Sequence, residues 1–161
     1  MLNQKRKMKT YQSTISPRLT LKGIKICQWA SEETLCFEAN IYFDGKKAGT
    51  VGDSGKGGGN EYWFTNKDAE QFMKDEASKM PDYEAFGMTL SHDMDSIIHI
   101  RIAEFEARKH AKKYFTYINL DEKHDITTFS WLKQGGKKVR NDHPGIPAFV
   151  EKNNITVVEA K

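Results

Sequence analysis

Cysteine is scarce in this chain, long apolar runs are missing, and no familiar catalytic motif stands out; each shortage removes a class of protein. Two cysteines in 161 residues, Cys27 and Cys36, do not make the disulfide framework of a small secreted domain. No apolar stretch approaches the roughly 18 residues that read as a membrane-spanning helix. The opening Met1-Leu2-Asn3-Gln4-Lys5-Arg6-Lys7 has no apolar segment of the kind a secretory leader carries. The expectation is a cytoplasmic protein without a membrane partner. Nine Phe, six Tyr and three Trp, with 38% hydrophobic residues, exclude general disorder. The length suits one self-sufficient domain.

Charge is distributed unevenly around a net value of only +3. Residues 1–25 hold seven Lys/Arg and no acid, whereas residues 26–100 hold six basic and fourteen acidic side chains. Residues 101–140 turn basic again, ten against five. Such segregation implies one basic and one acidic side, and a basic side attracts phosphates. A solvated tail and an ordinary helix surface would give the same counts.

The pattern predicts an α+β fold: an antiparallel β-meander, one shorter and one long helix packed on one face, then further strands. Residues 1–17 read as a basic, flexible tail and 18–161 as a single domain. Leu19 and Leu21 share a parity that Ile24 and Ile26 reverse across Gly23, which predicts a bulge there. Phe37, Ala39, Ile41 and Phe43 alternate with Glu38, Asn40 and Tyr42, and Asp44-Gly45 marks a hairpin turn back to Val51. A hairpin centred between Ser31 and Glu32 would set Cys27 opposite Cys36, either as two small buried side chains or as a cross-strand disulfide. Thr65, followed by Asp68, predicts the cap of a helix ending near Met80. Ser91, with Asp93 and Asp95, opens a longer helix whose buried stripe is Met94, Ile97, Ile98, Ile102 and Phe105. Tyr114 to Leu120, Ile126 to Leu132 and Ile155 to Glu159 read as strands, Gly135-Gly136 as a turn, and Ala148 to Lys152 as a short helix.

The densest local signal is Val51-Gly52-Asp53-Ser54-Gly55-Lys56-Gly57-Gly58-Gly59-Asn60, five glycines in ten residues. Glycine permits positive φ and close backbone approach, so such a loop can turn its amides around an anion. The spacing is neither that of a P-loop nor that of a dinucleotide fingerprint. The anion reading makes Lys56, Gly57, Gly58, Gly59 and Asn60 the candidate ligand residues, with Tyr62 available to stack a base. Arg108 and Lys112, from the long helix or a neighbouring subunit, would complete the charge. The plain alternative is a hairpin connection.

Other chemistries are thinner. His92, His99 and His110 fall within about 20° of one helical line, and Asp95/His99 and Glu106/His110 are i, i+4 pairs. Those pairs are too distant from each other to share an ion, so the stripe reads as a polar face and no metal site is assigned. Cys27 and Cys36 lie on strands without an activating helix terminus, Ser54 and Ser91 lack a fixed His/Asp partner, and Glu32/Glu33 and Asp93/Asp95 are ordinary surface pairs. No catalytic residue and no cofactor is assigned. The basic and aromatic residues from Arg108 to Arg140 raise nucleic acid as a partner, but the acidic middle suits a compact anion better than a long duplex.

The run Ser31-Glu32-Glu33-Thr34-Leu35-Cys36-Phe37-Glu38-Ala39, with Tyr42-Phe43-Asp44-Gly45-Lys46-Lys47-Ala48-Gly49 and Gly57-Gly58-Gly59-Asn60, resembles a segment of small uncharacterised proteins carried by bacteriophages and mobile elements. The resemblance implies an accessory protein of the host cytosol with an anti-defence role. The combined expectation is a non-enzymatic homo-oligomer that sequesters a small phosphorylated or nucleotide ligand at the glycine loop. A protein–protein inhibitor of a host defence factor and a nucleic-acid-binding protein are the alternatives.

Overall fold

The computed structural model describes residues 9–120 and 129–160. Most of the basic stretch Lys5 to Lys9, and the start of the strand expected from Ile126, lie outside the described residues. The chain is α+β, with three helices and several antiparallel sheets among the described residues. Where the sequence suggested one domain, the contacts group the chain into two compact units, residues 14–101 and residues 1–13 with 102–161.

The unit 14–101 is built on a four-stranded antiparallel meander, β1 (Leu19–Ile26), β2 (Phe37–Phe43), β3 (Lys46–Asp53) and β4 (Glu61–Phe64), in sequential order. Gly23, at φ +61°, sits where the β1–β2 register shifts, as the parity change required. Asp44 and Gly45 both take positive φ, the signature of a two-residue hairpin turn. Phe37, Ala39 and Ile41 are buried while Glu38 faces solvent. Cys27 N–H donates to the Cys36 carbonyl at 2.9 Å, so the expected register holds, and both thiols are free. Burial, then the neighbouring Cys27, pushes the Cys36 thiol up, which disfavours its thiolate.

Helix α1 (Lys67–Ser78) buries Ala69, Met73 and Ala77 at i, i+4 spacing. Its cap is Asn66, one residue beyond the expected Thr65; the Asn66 side chain accepts from the Asp68 amide at 2.9 Å. A short hairpin absent from the sequence reading follows, β5 (Tyr83–Ala85) and β6 (Met88–Leu90). Helix α2 is Met94–Ala111, and the Ser96 amide donates to the Asp93 carbonyl and carboxylate, so Asp93 rather than Ser91 caps it. In the first half of α2, Ile97, Ile98 and Ile100 are buried. Arg101 gathers the carbonyls of Ser16 at 2.9 Å and Leu19 at 2.7 Å, fixing the entry to β1.

The other unit contains the second half of α2, a three-stranded sheet in the order β11-β7-β8, and a small hairpin. Its strands are β7 (Thr116–Asn119), β8 (Ser130–Trp131), β9 (Lys133–Gln134), β10 (Lys137–Lys138) and β11 (Ile155–Val157). Helix α3 is Ile146–Lys152, two residues longer at its start than expected, with Pro147 in the first turn where its missing N–H costs nothing. The segment from Lys9 onward is not a tail: Thr10 bridges Val157, the Tyr11 amide donates to the Val157 carbonyl at 2.8 Å, and Tyr11 is buried with Ala107, Ala111 and Val158. That packing also corrects the helix stripe. Glu104 is buried and accepts from the Ser13 hydroxyl at 3.0 Å, whereas Phe105 is exposed.

Two carboxylates of the unit 14–101 stand below their ordinary range. A fork of hydrogen bonds from Arg18, at 2.7 and 2.8 Å, lowers Asp44, and the Arg18 guanidinium lies over the paired rings of Phe43 and Phe72. Burial pushes Glu76 up, but the Lys79 ammonium and the Ser16 amide outweigh it and hold Glu76 low. A carboxylate lowered on folding stabilises the native state above its unfolded pKa and loses that contribution as pH falls through the lowered value. The melting temperature should therefore fall as pH drops below about 4, and a Glu76→Gln variant should show a shallower acid limb in thermal melts.

Candidate functional site

The glycine loop joins β3 to β4, and its inner amides are already committed. Asp53, buried at the end of β3, accepts from the Gly55 amide at 2.7 Å and from the Thr34 hydroxyl at 2.8 Å through one oxygen. The Gly57 amide donates to the Thr34 hydroxyl oxygen at 3.3 Å. In the opposite direction the Gly55 carbonyl accepts from the amides of Glu32, Glu33 and Thr34, at 2.9, 2.9 and 3.3 Å. Three successive amides converging on one oxygen form the kind of nest that binds anions, and here a main-chain carbonyl fills it.

The far side of the loop meets Asp95 at the start of α2. One oxygen of Asp95 accepts from the Asn60 amide at 3.2 Å and the other from the Tyr62 hydroxyl at 2.5 Å. Burial, reinforced by the Asp95 carboxylate, raises the Tyr62 phenol far above its usual range, so it stays a donor. Tyr62 stacks on Phe64 with ring centroids 5.8 Å apart. Glu33 lies against Gly57, where an added Cβ would meet its carboxylate at 2.5 Å. The loop thus gathers around negative charge, and the charge belongs to Asp53 and Asp95 of the same chain. A phosphate placed about 4 Å from either carboxylate would meet a repulsion of roughly 1 kcal/mol in water and about 4 kcal/mol at a protein surface.

Of the residues the sequence singled out, Gly57, Gly59, Asn60 and Tyr62 come together around Glu33 and Asp95. Lys56 and Gly58 are exposed, and Lys56 forms no salt bridge among the described residues. Arg108 and Lys112 belong to the other compact unit. Arg108 donates to the Glu159 carbonyl at 3.1 Å and stands over the Tyr11 ring, while Lys112 is exposed. The histidine line dissolves as well: His92 precedes α2 and is buried against Ser96, at 2.9 Å from its hydroxyl, His99 is exposed, and His110 contacts the Glu106 carbonyl.

The unit 1–13/102–161 carries a concavity that sequence reasoning did not isolate. Its volume is about 430 Å³, and Lys137, Lys138, Arg140, Asp142 and His143 line it above Val139 and Pro144. Gly135 and Gly136, both at positive φ, make the turn that presents β10. Val139 is buried and anchors the strand: its amide donates to the Leu132 carbonyl at 2.8 Å and its carbonyl accepts from Phe115 at 2.9 Å. The Asn141 side chain donates to the Ala111 carbonyl at 2.7 Å, tying the following turn to the end of α2.

Two polar side chains of this hollow have hydrogen-bond partners. The Gly145 amide donates to His143 Nδ1 at 3.0 Å, so the neutral ring carries its proton on Nε2 and offers it as a donor. The Lys138 ammonium donates to His110 Nε2 at 2.9 Å and lies over the Trp131 ring at 4.3 Å. Lys137 and Arg140 have no carboxylate partner among the described residues. The surrounding unit holds fifteen basic and eight acidic side chains, a net +7, against ten and fourteen, a net −4, in the other.

Comparison with protein-family models, with curated proteins and with solved structures returns no match, so the site is read from its own geometry. No helix among the described residues is long and apolar enough to cross a membrane, and no group of three metal-ligating side chains occurs among them.

The knot at Gly55 makes a stability prediction. A Cβ there would fall 2.1 Å from the Ala30 carbonyl, at a φ of +83° that already disfavours side chains. Gly55→Ala should destabilise by about 3 kcal/mol. Gly58 has φ +89° but nothing within 4 Å of such an atom, so Gly58→Ala should cost only about 1 kcal/mol. Paired urea melts of the two variants measure the difference.

Proposed function

We propose that the protein binds and sequesters a small phosphorylated ligand, of the nucleotide class, in the basic concavity rather than on the glycine loop. The carrying observation is that Lys137, Lys138, Arg140 and His143 line a hollow of about 430 Å³, with the Lys138 ammonium held by His110, a volume within the ordinary range for ligand pockets. Arg140 supplies a planar fork suited to two phosphate oxygens, Lys137 an ammonium, and His143 an imidazole whose Nδ1 is held by the Gly145 amide. Asp142 offsets one of the three positive charges and disfavours indiscriminate anion uptake. Val139 and Pro144 give the floor an apolar surface against which a base or ribose can rest. The hollow supplies charge and hydrogen-bond donors without an evident nucleophile, which supports retention of the ligand over its conversion. A phage-type accessory protein of this design would act against host defence by holding a nucleotide signal.

Isothermal titration calorimetry against cyclic dinucleotides, ADP-ribose and inorganic pyrophosphate tests the reading. One nucleotide should bind and be recovered chemically intact. Arg140→Glu should weaken it at least about tenfold, the scale of a lost charge-assisted pair, while Lys56→Ala should leave it within about twofold. Loss of binding in Lys56→Ala with Arg140→Glu unaffected would return the site to the glycine loop. Binding of nucleic acid with a steep salt dependence, in place of any nucleotide, would assign the basic unit to a polyanion.

A further inference from the structure

The β5–β6 hairpin carries a residue its own turn does not want. Phe86 and Gly87 occupy the two central positions with φ of +53° and +71°, the arrangement that favours Asn-Gly because a bulky side chain is strained there. Phe86 is also 94% exposed, and Met88 beside it is 55% exposed. Trp29 and Trp63 are exposed too, but neither combines exposure with a left-handed backbone. Phe86 thus burdens both the turn and its own hydration.

The surroundings of this tip define what it can contact. From Met80 to Ile100 the sequence holds Asp82, Glu84, Asp93 and Asp95 and no Lys or Arg. Glu84 accepts a hydrogen bond from Thr89 across the hairpin, which holds its carboxylate beside the strand. The tip is therefore an apolar pair on a hairpin whose charged residue is the acid Glu84 and which holds no Lys or Arg, a pattern repelled by anionic lipid headgroups and complementary to an apolar hollow with a basic rim. Such a hollow exists in this chain: Val139 and Pro144 below Lys137, Lys138 and Arg140.

We infer that the Phe86 hairpin of one copy docks into the basic concavity of a second copy, giving a heterologous, head-to-tail association. This rests on the reading of that concavity as an acceptor of negative charge, and it makes the ligand and the hairpin competitors for the same cations. A finger of eight residues, Tyr83–Leu90, covers less than the roughly 800 Å² per partner of a standard interface. The association is accordingly weak, concentration-dependent and weakened by salt. Because the two surfaces are different, each head-to-tail pair retains one unused hairpin and one unused concavity, and chains or rings grow as concentration rises.

Sedimentation velocity of the full chain over a concentration series, at low and high salt and without ligand, tests this. Association should appear at low salt. Phe86→Asn should abolish it while raising the melting temperature, since Asn relieves the turn, and should leave nucleotide binding unchanged. Arg140→Glu should abolish association through the other surface. Mixing the two variants should restore a dimer and stop there, because only one productive pairing is left. A chain that is monomeric throughout, or association untouched by Phe86→Asn, overturns the inference, as does a mixture that fails to pair. Flotation of the monomeric wild-type chain with phosphatidylcholine vesicles, lost in Phe86→Asn, would assign the finger to a membrane and likewise overturn it. Failure of nucleotide binding with association intact would remove the ligand and leave the docking.

Discussion

The carboxylates of Asp53 and Asp95 govern how the glycine-rich segment behaves. Each is placed at the end of a regular element, Asp53 closing β3 and Asp95 in the first turn of α2, and each takes amide donors from the loop between them. The loop consequently needs no outside anion to satisfy those amides. Proximity explains two of its glycines: Gly55 abuts the Ala30 carbonyl, leaving no room for a side chain, and Gly57 faces the Glu33 carboxylate. A glycine cluster is a statement about backbone crowding and handedness, and crowding against one's own chain produces the same composition as crowding against a ligand.

Much of the meander was legible because its signals are local. Gly23 reverses a parity, Asp44-Gly45 supplies two left-handed residues, and the Cys27–Cys36 register follows from counting around a turn. The β5–β6 hairpin was not legible, since Phe86-Gly87 breaks the turn preference that would have announced it. Tyr11 was hidden for a different reason: its burial depends on pairing with Val157, nearly the full chain away, and no window of sequence contains both. Glu104 is likewise buried against a residue far off in sequence, Ser13, while Phe105 is exposed. Of the candidate site, composition disclosed the basic region and its aromatics. The concavity itself depends on where the Gly135-Gly136 turn and the Asn141 tether set four side chains, which charge counts do not encode.

The segregation of charge along the sequence becomes a segregation between units. The acidic middle folds on itself as residues 14–101, while the basic beginning and end combine through the Thr10–Val157 bridge. Concentrating ten cations with five acids among the described residues of a small unit raises its electrostatic potential, and a concave surface focuses that potential further. Self-repulsion among these cations opposes compaction of the unit. Lys138 illustrates how the fold offsets it, with its charge shared between an imidazole nitrogen and an indole face.

That arrangement has an optical corollary. Trp131 is the only one of the three tryptophans that is not exposed, and its ring is stacked on His110 at 5.4 Å. Indole emission is sensitive to a neighbouring imidazole and ammonium, so the chain carries a built-in fluorophore in contact with His110 and Lys138. Its light reports the state of that cluster without any added label.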